Sequence, residues 1–198
     1  MISKTAVVYK NVILGKNCTV EDYAIIGTKG SKLKTIIGDN AIIRSHTVIY
    51  AGNVIGNNFS TGNKANIREN NQIGNDVSIG TNSVIEHHIR IGDRVRIHSQ
   101  VFIPEYTILE HDSWLGPNVV ITNAKYPKSK NIKKNLKSAY VKSFAILGAN
   151  ATLLPGITIG SRALVGAGSV VVRDIPDGCV VAGNPAKVIN KIENLPYI

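Results

Sequence analysis

A chain of 198 residues with a formal net charge of +10, two cysteines and 6% aromatic residues is sized for one domain. It holds no uninterrupted apolar run of roughly 18 residues that would predict a membrane-spanning helix, no apolar stretch of the signal-peptide kind after Met1-Ile2-Ser3-Lys4, and no metal-type spacing between Cys18 and Cys179. The basic balance invites anionic partners, yet no nucleic-acid module and little aromatic interleaving accompany it, which argues against nucleic acid.

In chain order the predicted elements are short and alike. An aliphatic residue returns at every sixth position, at Val8, Leu14, Val20 and Ile26. A second register runs from Ile37 through Ile43, Ile49 and Ile55 to Ile121, with Thr61 as its one polar slot. A third holds Leu147, Leu153, Ile159, Val165 and Val171. The residue four places on is often small, as at Ala41, Thr47, Ala65, Ser83, Ser113 and Ala151. A period of six fits neither a helix face nor a simple alternating strand. It predicts a solenoid in which one short strand and one turn fill each repeat, and three repeats close one triangular coil. Successive coils would pair as parallel strands about 4.8 Å apart. Glycine after the slot, at Gly38, Gly56, Gly74, Gly80, Gly92 and Gly116, is expected to permit the turn angles of the corners. Cys18 occupies one of the small inward slots and reads as a core thiol, at home in a reducing cytoplasm.

Two breaks in register predict loops thrown out of the coil, at about 28–35 and 122–146. The second carries Lys125, Lys128, Lys130, Lys133, Lys134, Lys137 and Lys142 with no acid between them. It reads either as a solvated loop or as an anion-binding flap for a phosphorylated ligand. The solenoid is expected over 1–187, followed by a tail at 188–198 in which Val188, Ile189, Ile192 and Leu195 form a short apolar-faced helix over the open end.

An 18-residue coil stacks residues 18 apart. Glu69, His87, Glu105 and Asn123 then stand on one vertical line at an outward corner. A carboxylate beside an imidazole can hold its tautomer and raise its basicity, and an amide can bond a carbonyl or an amine. Glu69 has an alternative partner in Arg68. His98, between Gly80 and Gly116 in its own column, is the other candidate base. Resemblance to the zinc carbonic anhydrases that share such a coil would imply three histidine ligands over two coils; their spacing falls here on His46, Asn82 and His87, so the middle ligand is missing and no metal is expected.

The pattern aliphatic-Gly-x-x-small-x resembles that of the hexapeptide-repeat acyltransferases over residues 6–187. The resemblance implies an all-β fold, a left-handed parallel β-helix, with the long basic loop as an insertion. "LGANATLLPGITIGSRALVGAGSVVVRDIPDGCVVAGNPAKVI", residues 147–189, is similar to the closing segment of acetyl-CoA-dependent members. This implies acetyl-CoA as co-substrate, a homotrimer with the donor in the groove between subunits, Gly148, Gly166 and Ala167 beside the pantetheine arm, and Arg173 and Lys187 on the nucleotide phosphates. "VRIHSQVFIPEYTILEHDSWLGPNVVITNAKYP" is similar to N-acetyltransferases of nucleotide-linked amino sugars in surface-glycan pathways, with Gly116-Pro117-Asn118 and Thr122-Asn123 as the matching features. That implies a histidine and an asparagine near the sugar amine, carried here to His87 and Asn123, with Glu105 orienting the imidazole. Many relatives place an acid after the asparagine, where this chain has Ala124. The competing readings are an O-acetyltransferase of a sugar or small molecule, centred on His98, and a non-catalytic binding β-helix.

Overall fold

The computed structural model describes residues 1–196 and is a left-handed parallel β-helix with three flat faces. Face one holds nine strands from Val7–Val8 to Val170–Val171, and face two holds eight from Val12–Leu14 to Thr158–Ile159. Face three holds ten, from Thr19–Val20 to the terminal pair Cys179–Gly183 and Ala186–Lys191. Consecutive strands lie on different faces, so every parallel partner is one full circuit away. Asn66 pairs with Val84, and Val84 with Phe102.

Most strands are two residues long, and the second residue points inward. Ile67, Ile85 and Ile103 are fully buried on face one, and Ile79, Ile97 and Leu115 are buried on face three. Each fully buried aliphatic side chain contributes roughly 1.5–3 kcal/mol. Thr61 fits this column because its hydroxyl meets the Thr47 hydroxyl at 3.1 Å.

Both excursions leave from the end of a face-one strand and return at the start of a face-two strand. The first separates Ile25–Ile26 from Thr35–Ile37. The second was expected to run to 146, but the coil resumes at Tyr140–Val141. Val141 is fully buried and Ala139 nearly so, filling the large and small inward slots one repeat before Leu147. The surrounding lysines and serines disguise that repeat in the sequence. The excursion is therefore 122–139.

The expected C-terminal helix is corrected as well. Val188 and Ile189 lie in the strand Ala186–Lys191, which pairs antiparallel with Cys179–Gly183, and both are exposed. Only Ile192–Asn194 forms a single 3-10 turn. Asn184-Pro185 reverses the chain, and the backbone of the open face-three edge recruits the returning segment as a strand. Tyr197 and Ile198 of the expected tail lie outside the described residues. Among the described residues no helix is long and apolar enough to cross a membrane.

The corners also differ from expectation. Positive φ falls on the third residue after the slot, at Asn58, Asp76, Asn82, His88, Asn118 and others, with φ near 60°. Asn and Asp tolerate this left-handed region better than other residues bearing a Cβ. Gly80 has no positive φ. A Cβ there would lie 2.4 Å from the carbonyl carbon of His98 in the next coil, so the glycine serves close stacking rather than turning.

At the corner between faces one and two, the smaller inward slot holds two buried asparagines. Asn53 Nδ2 donates to the carbonyls of Tyr50 and Arg68, both at 2.8 Å, and Asn53 Oδ1 accepts from Asn71 N at 3.0 Å. Asn71 repeats the pattern, donating to Arg68 O at 2.9 Å and accepting from Ile89 N at 2.8 Å. This ladder secures the turn Glu86–Ile89 from inside. Asn71→Leu leaves the buried Ile89 amide without its acceptor and removes one of the two side-chain donors to Arg68 O, and is expected to cost about 1–3 kcal/mol. Chemical denaturation of the two proteins checks this; equal midpoints would show the ladder to be dispensable.

Candidate active site

The predicted column forms. His87 Nε2 faces Glu105 Oε1 at 3.6 Å, and Asn123 Nδ2 donates to Glu105 Oε2 at 2.7 Å and to Glu105 O at 3.4 Å. His87 and Glu105 are both about a quarter exposed. Glu69, one coil below, is held by Arg68 through Nε at 2.9 Å and Nη2 at 3.1 Å. That hydrogen bond, aided by the positive charge, keeps the Glu69 carboxyl below its ordinary pKa. Arg68 also reaches Glu86 Oε2 at 3.4 Å. The structure thus brings His87, Glu105 and Asn123 together and leaves Glu69 committed to arginine.

One detail departs from the expected arrangement. Glu105 approaches Nε2 of His87, while the Nδ1 edge meets His88 Nδ1 at 2.8 Å. His88 stands at the left-handed position of the turn, φ 59°, which swings its ring against its neighbour. The two rings are edge-on with centroids 4.9 Å apart, and Tyr106 flanks both at 6.3 and 6.0 Å. The group that fixes the His87 ring is therefore His88. The doublet is visible in the sequence, and the six-residue spacing of left-handed positions is the signal that could have assigned His88 this place.

The 3.6 Å separation is longer than a hydrogen bond and leaves both atoms open on the solvent side to an N–H group seated beside the pair. Glu69 and Glu86 share Arg68, so Glu105 is the carboxylate at this corner that is not paired with arginine. Beside His87 it favours a proton-bearing group. Glu86, His87 and Glu105 also offer three donor atoms within 4.8 Å of one another, a set that suits a small divalent ion.

His98 stands at the corner between faces three and one. Its Nε2 accepts from Arg96 Nε at 3.2 Å, and its ring lies 4.6 Å from that of Trp114. Burial, with the Arg96 charge second, lowers its pKa, so the ring is neutral at pH 7. The pairing places Gly148, Gly166 and Ala167 along this same corner above Gly116. A Cβ at Gly148 would lie 2.5 Å from Ala167 N, which marks how closely these coils approach. Arg173 does not join them: it follows Val171 on face one and stands at the His87 corner. Lys187 lies on the terminal hairpin, paired with Ala182. The sequence-predicted residues therefore divide between two edges of one chain.

Comparison with known proteins bears on the repeat and the fold. The model of the bacterial transferase hexapeptide (six repeats) matches residues 72–105, which include His87 and Glu105. The hexapeptide repeat of succinyl-transferase matches residues 145–173. By repeat and by fold the chain is a hexapeptide-repeat protein, as its sequence resemblance implies, and its relatives are acyltransferases. A galactoside O-acetyltransferase of Lactococcus lactis is 40% identical over 86 residues, 41% of this chain and 42% of the relative. A 2,3,4,5-tetrahydropyridine-2,6-dicarboxylate N-acetyltransferase of Clostridium perfringens is 40% identical over 79 residues, 40% of this chain and 31% of the relative. The chain thus matches less than half the length of these curated relatives. The crystal structure of a UDP-N-acetylglucosamine acyltransferase of Francisella novicida superposes with a TM-score of 0.70 over 98% of this chain and 71% of its own, at 18% identity.

Proposed function

We propose that the protein is an acetyl-CoA-dependent N-acetyltransferase acting on the amino group of a nucleotide-linked sugar by direct transfer. The observation that carries this reading is the His87–Glu105 pair, whose carboxylate Asn123 holds in place. It offers a base and an anion to an amine's N–H groups.

In this mechanism the amine nitrogen attacks the thioester carbonyl carbon, and a C–N bond forms. His87 Nε2 takes the proton that the nitrogen must lose, held in place by His88 on its other edge. Glu105 faces the developing imidazolium and stabilises it. The Asn123 amide is engaged by Glu105, so its part is to fix that carboxylate. Backbone N–H groups at the donor corner stabilise the tetrahedral oxyanion. The C–S bond then breaks, and the departing thiolate takes the proton from His87. The products are the amide and free CoA.

The division of residues between two edges supports a homotrimer. Gly148, Gly166 and Ala167 line one corner and His87 another, so a donor bound along the first meets the base of a neighbouring copy. Acetyl-CoA as donor fits a cytoplasmic protein. The relatives also favour a second reading, transfer to a sugar hydroxyl, for which the neutral His98 is the base. Incubation with acetyl-CoA and a panel of nucleotide amino sugars, beside their hydroxyl counterparts, separates the two. Thiol release with an amide product is the expected result. Turnover of the hydroxyl series alone would reject N-acetylation.

A further inference from the structure

The long excursion 122–139 leaves and re-enters the coil at the corner that carries His87. Its base is closed by Lys137 N donating to Asn123 O at 2.9 Å. A Cβ at Gly156 would touch the Lys137 stem, so the stem runs along the coil while the residue remains exposed. Inside the loop, Ser129 N bonds Tyr126 O at 3.1 Å, and Ile132–Lys134 makes one 3-10 turn. The loop therefore has internal order.

Between loop and coil lies a cavity of about 310 Å³, lined by Asn123, Lys125, Tyr126, Ser129, Lys137 and Pro155, among others. Lys125 and Lys137 bring cations from the two limbs, and no carboxylate lines the cavity. None of the excursion's six lysines, Lys125 to Lys137, is paired with a carboxylate among the described residues. Tyr126 is 66% exposed, with Lys125 Nζ 5.6 Å from its ring centroid. Two unpaired cations, an open aromatic ring and a serine hydroxyl match the phosphates, base and ribose of a nucleotide. Asn123 belongs both to this cavity and to the His87–Glu105 column. His87 lies two coils below it, about 9.6 Å at the usual strand spacing, a distance that a hexose covers together with the phosphate on its anomeric oxygen.

The geometry points to this cavity as the seat of the acceptor's nucleoside diphosphate, with the sugar reaching down the corner to His87. The inference rests on the acceptor class proposed above. CoA also carries a diphosphate. The residues assigned to its pantetheine arm, Gly148, Gly166 and Ala167, lie at a different edge, while Arg173, assigned to its phosphates, stands one coil above Pro155 at this same corner, so the CoA arm of the titration decides between the two diphosphates. In this assignment the loop serves the acceptor and the glycine corner the pantetheine arm.

Calorimetric titration of the full chain with UDP, dTDP, GDP, uridine and CoA tests this. The wild type is expected to bind at least one nucleoside diphosphate, more weakly as salt is raised, and uridine poorly. The double variant Lys125→Glu/Lys137→Glu is expected to lose about tenfold or more of that affinity, since charge-assisted contacts are removed. Tyr126→Ala is expected to lose several-fold, and CoA affinity to stay within about twofold in both. These side chains lie on an excursion outside the coil, and unchanged melting temperatures verify the fold. Diphosphate affinity equal in wild type and variants would overturn this placement and leave the proposed acceptor standing. A parallel fall in CoA affinity would assign the cavity to the donor and also overturn it. Failure of the wild type to bind any of the three diphosphates would remove the acceptor class and this placement together.

Discussion

His87→Ala lowers kcat by about 10²–10⁴, the range for loss of a general base, with little change in the KM for acetyl-CoA. The split follows from geometry. His87 meets the acceptor at the corner between faces one and two, whereas Gly148, Gly166 and Ala167, assigned to the donor's pantetheine arm, stand at another corner, and Arg173, assigned to its phosphates, lies several coils above His87. A change confined to kcat therefore identifies a group acting on the proton rather than on donor binding. His88→Ala separates positioning from chemistry. It removes the contact at Nδ1 and leaves Nε2 and Glu105 in place. It should lower kcat less than His87→Ala, because His87 loses the partner that holds its ring while the base itself remains. Steady-state kinetics of the two variants reads both effects. A His87→Ala enzyme with full kcat on the true acceptor would remove the residue from the mechanism.

The largest effect on stability is expected at Ile85→Asp. Ile85 is fully buried between Ile67 and Ile103 and lies one strand end before the His87 turn. Ile85→Ala alone should cost about 2–5 kcal/mol by leaving a cavity. Aspartate adds a carboxylate with no partner in an aliphatic column, so its cost should exceed about 4 kcal/mol. Because each coil is supported only by its neighbours, a defect in the middle uncouples the two ends. Loss of the single melting transition, with proteolysis near the centre of the chain, is the expected readout. Leu33→Asp is the comparison. Leu33 is half exposed on the first excursion, and its replacement should shift stability by no more than about 0.5 kcal/mol. Equal melting of the two variants would contradict an aliphatic column as the source of stability.

The architecture was legible because one physical demand, an apolar side chain facing the axis, recurs at Ile67, Ile85 and Ile103 without exception. Fixed stacking then makes lateral neighbours of residues 18 apart, which is why His87, Glu105 and Asn123 could be grouped from spacing. Handedness was not legible from the spacing and came from family resemblance. Val141 was hidden because its repeat carries lysine and serine on the outward positions. The left-handed corner residues were obscured by chemical variety: asparagine and aspartate at Asn58 and Asp76 signal such a backbone, whereas Tyr106, Gln100 and Phe144 adopt it without advertising it. The contact between His87 and His88 depends on that backbone angle and on side-chain rotamers, and neither can be read from a doublet of letters.

A solenoid is a template for its own continuation. Each rung offers the following rung an edge of matching direction and spacing, and the last rung would offer the same to a foreign molecule. On face three this chain places the counter-running strand Ala186–Lys191 at the boundary. An incoming first rung finds a partner of reversed polarity there and cannot continue the parallel register of that face.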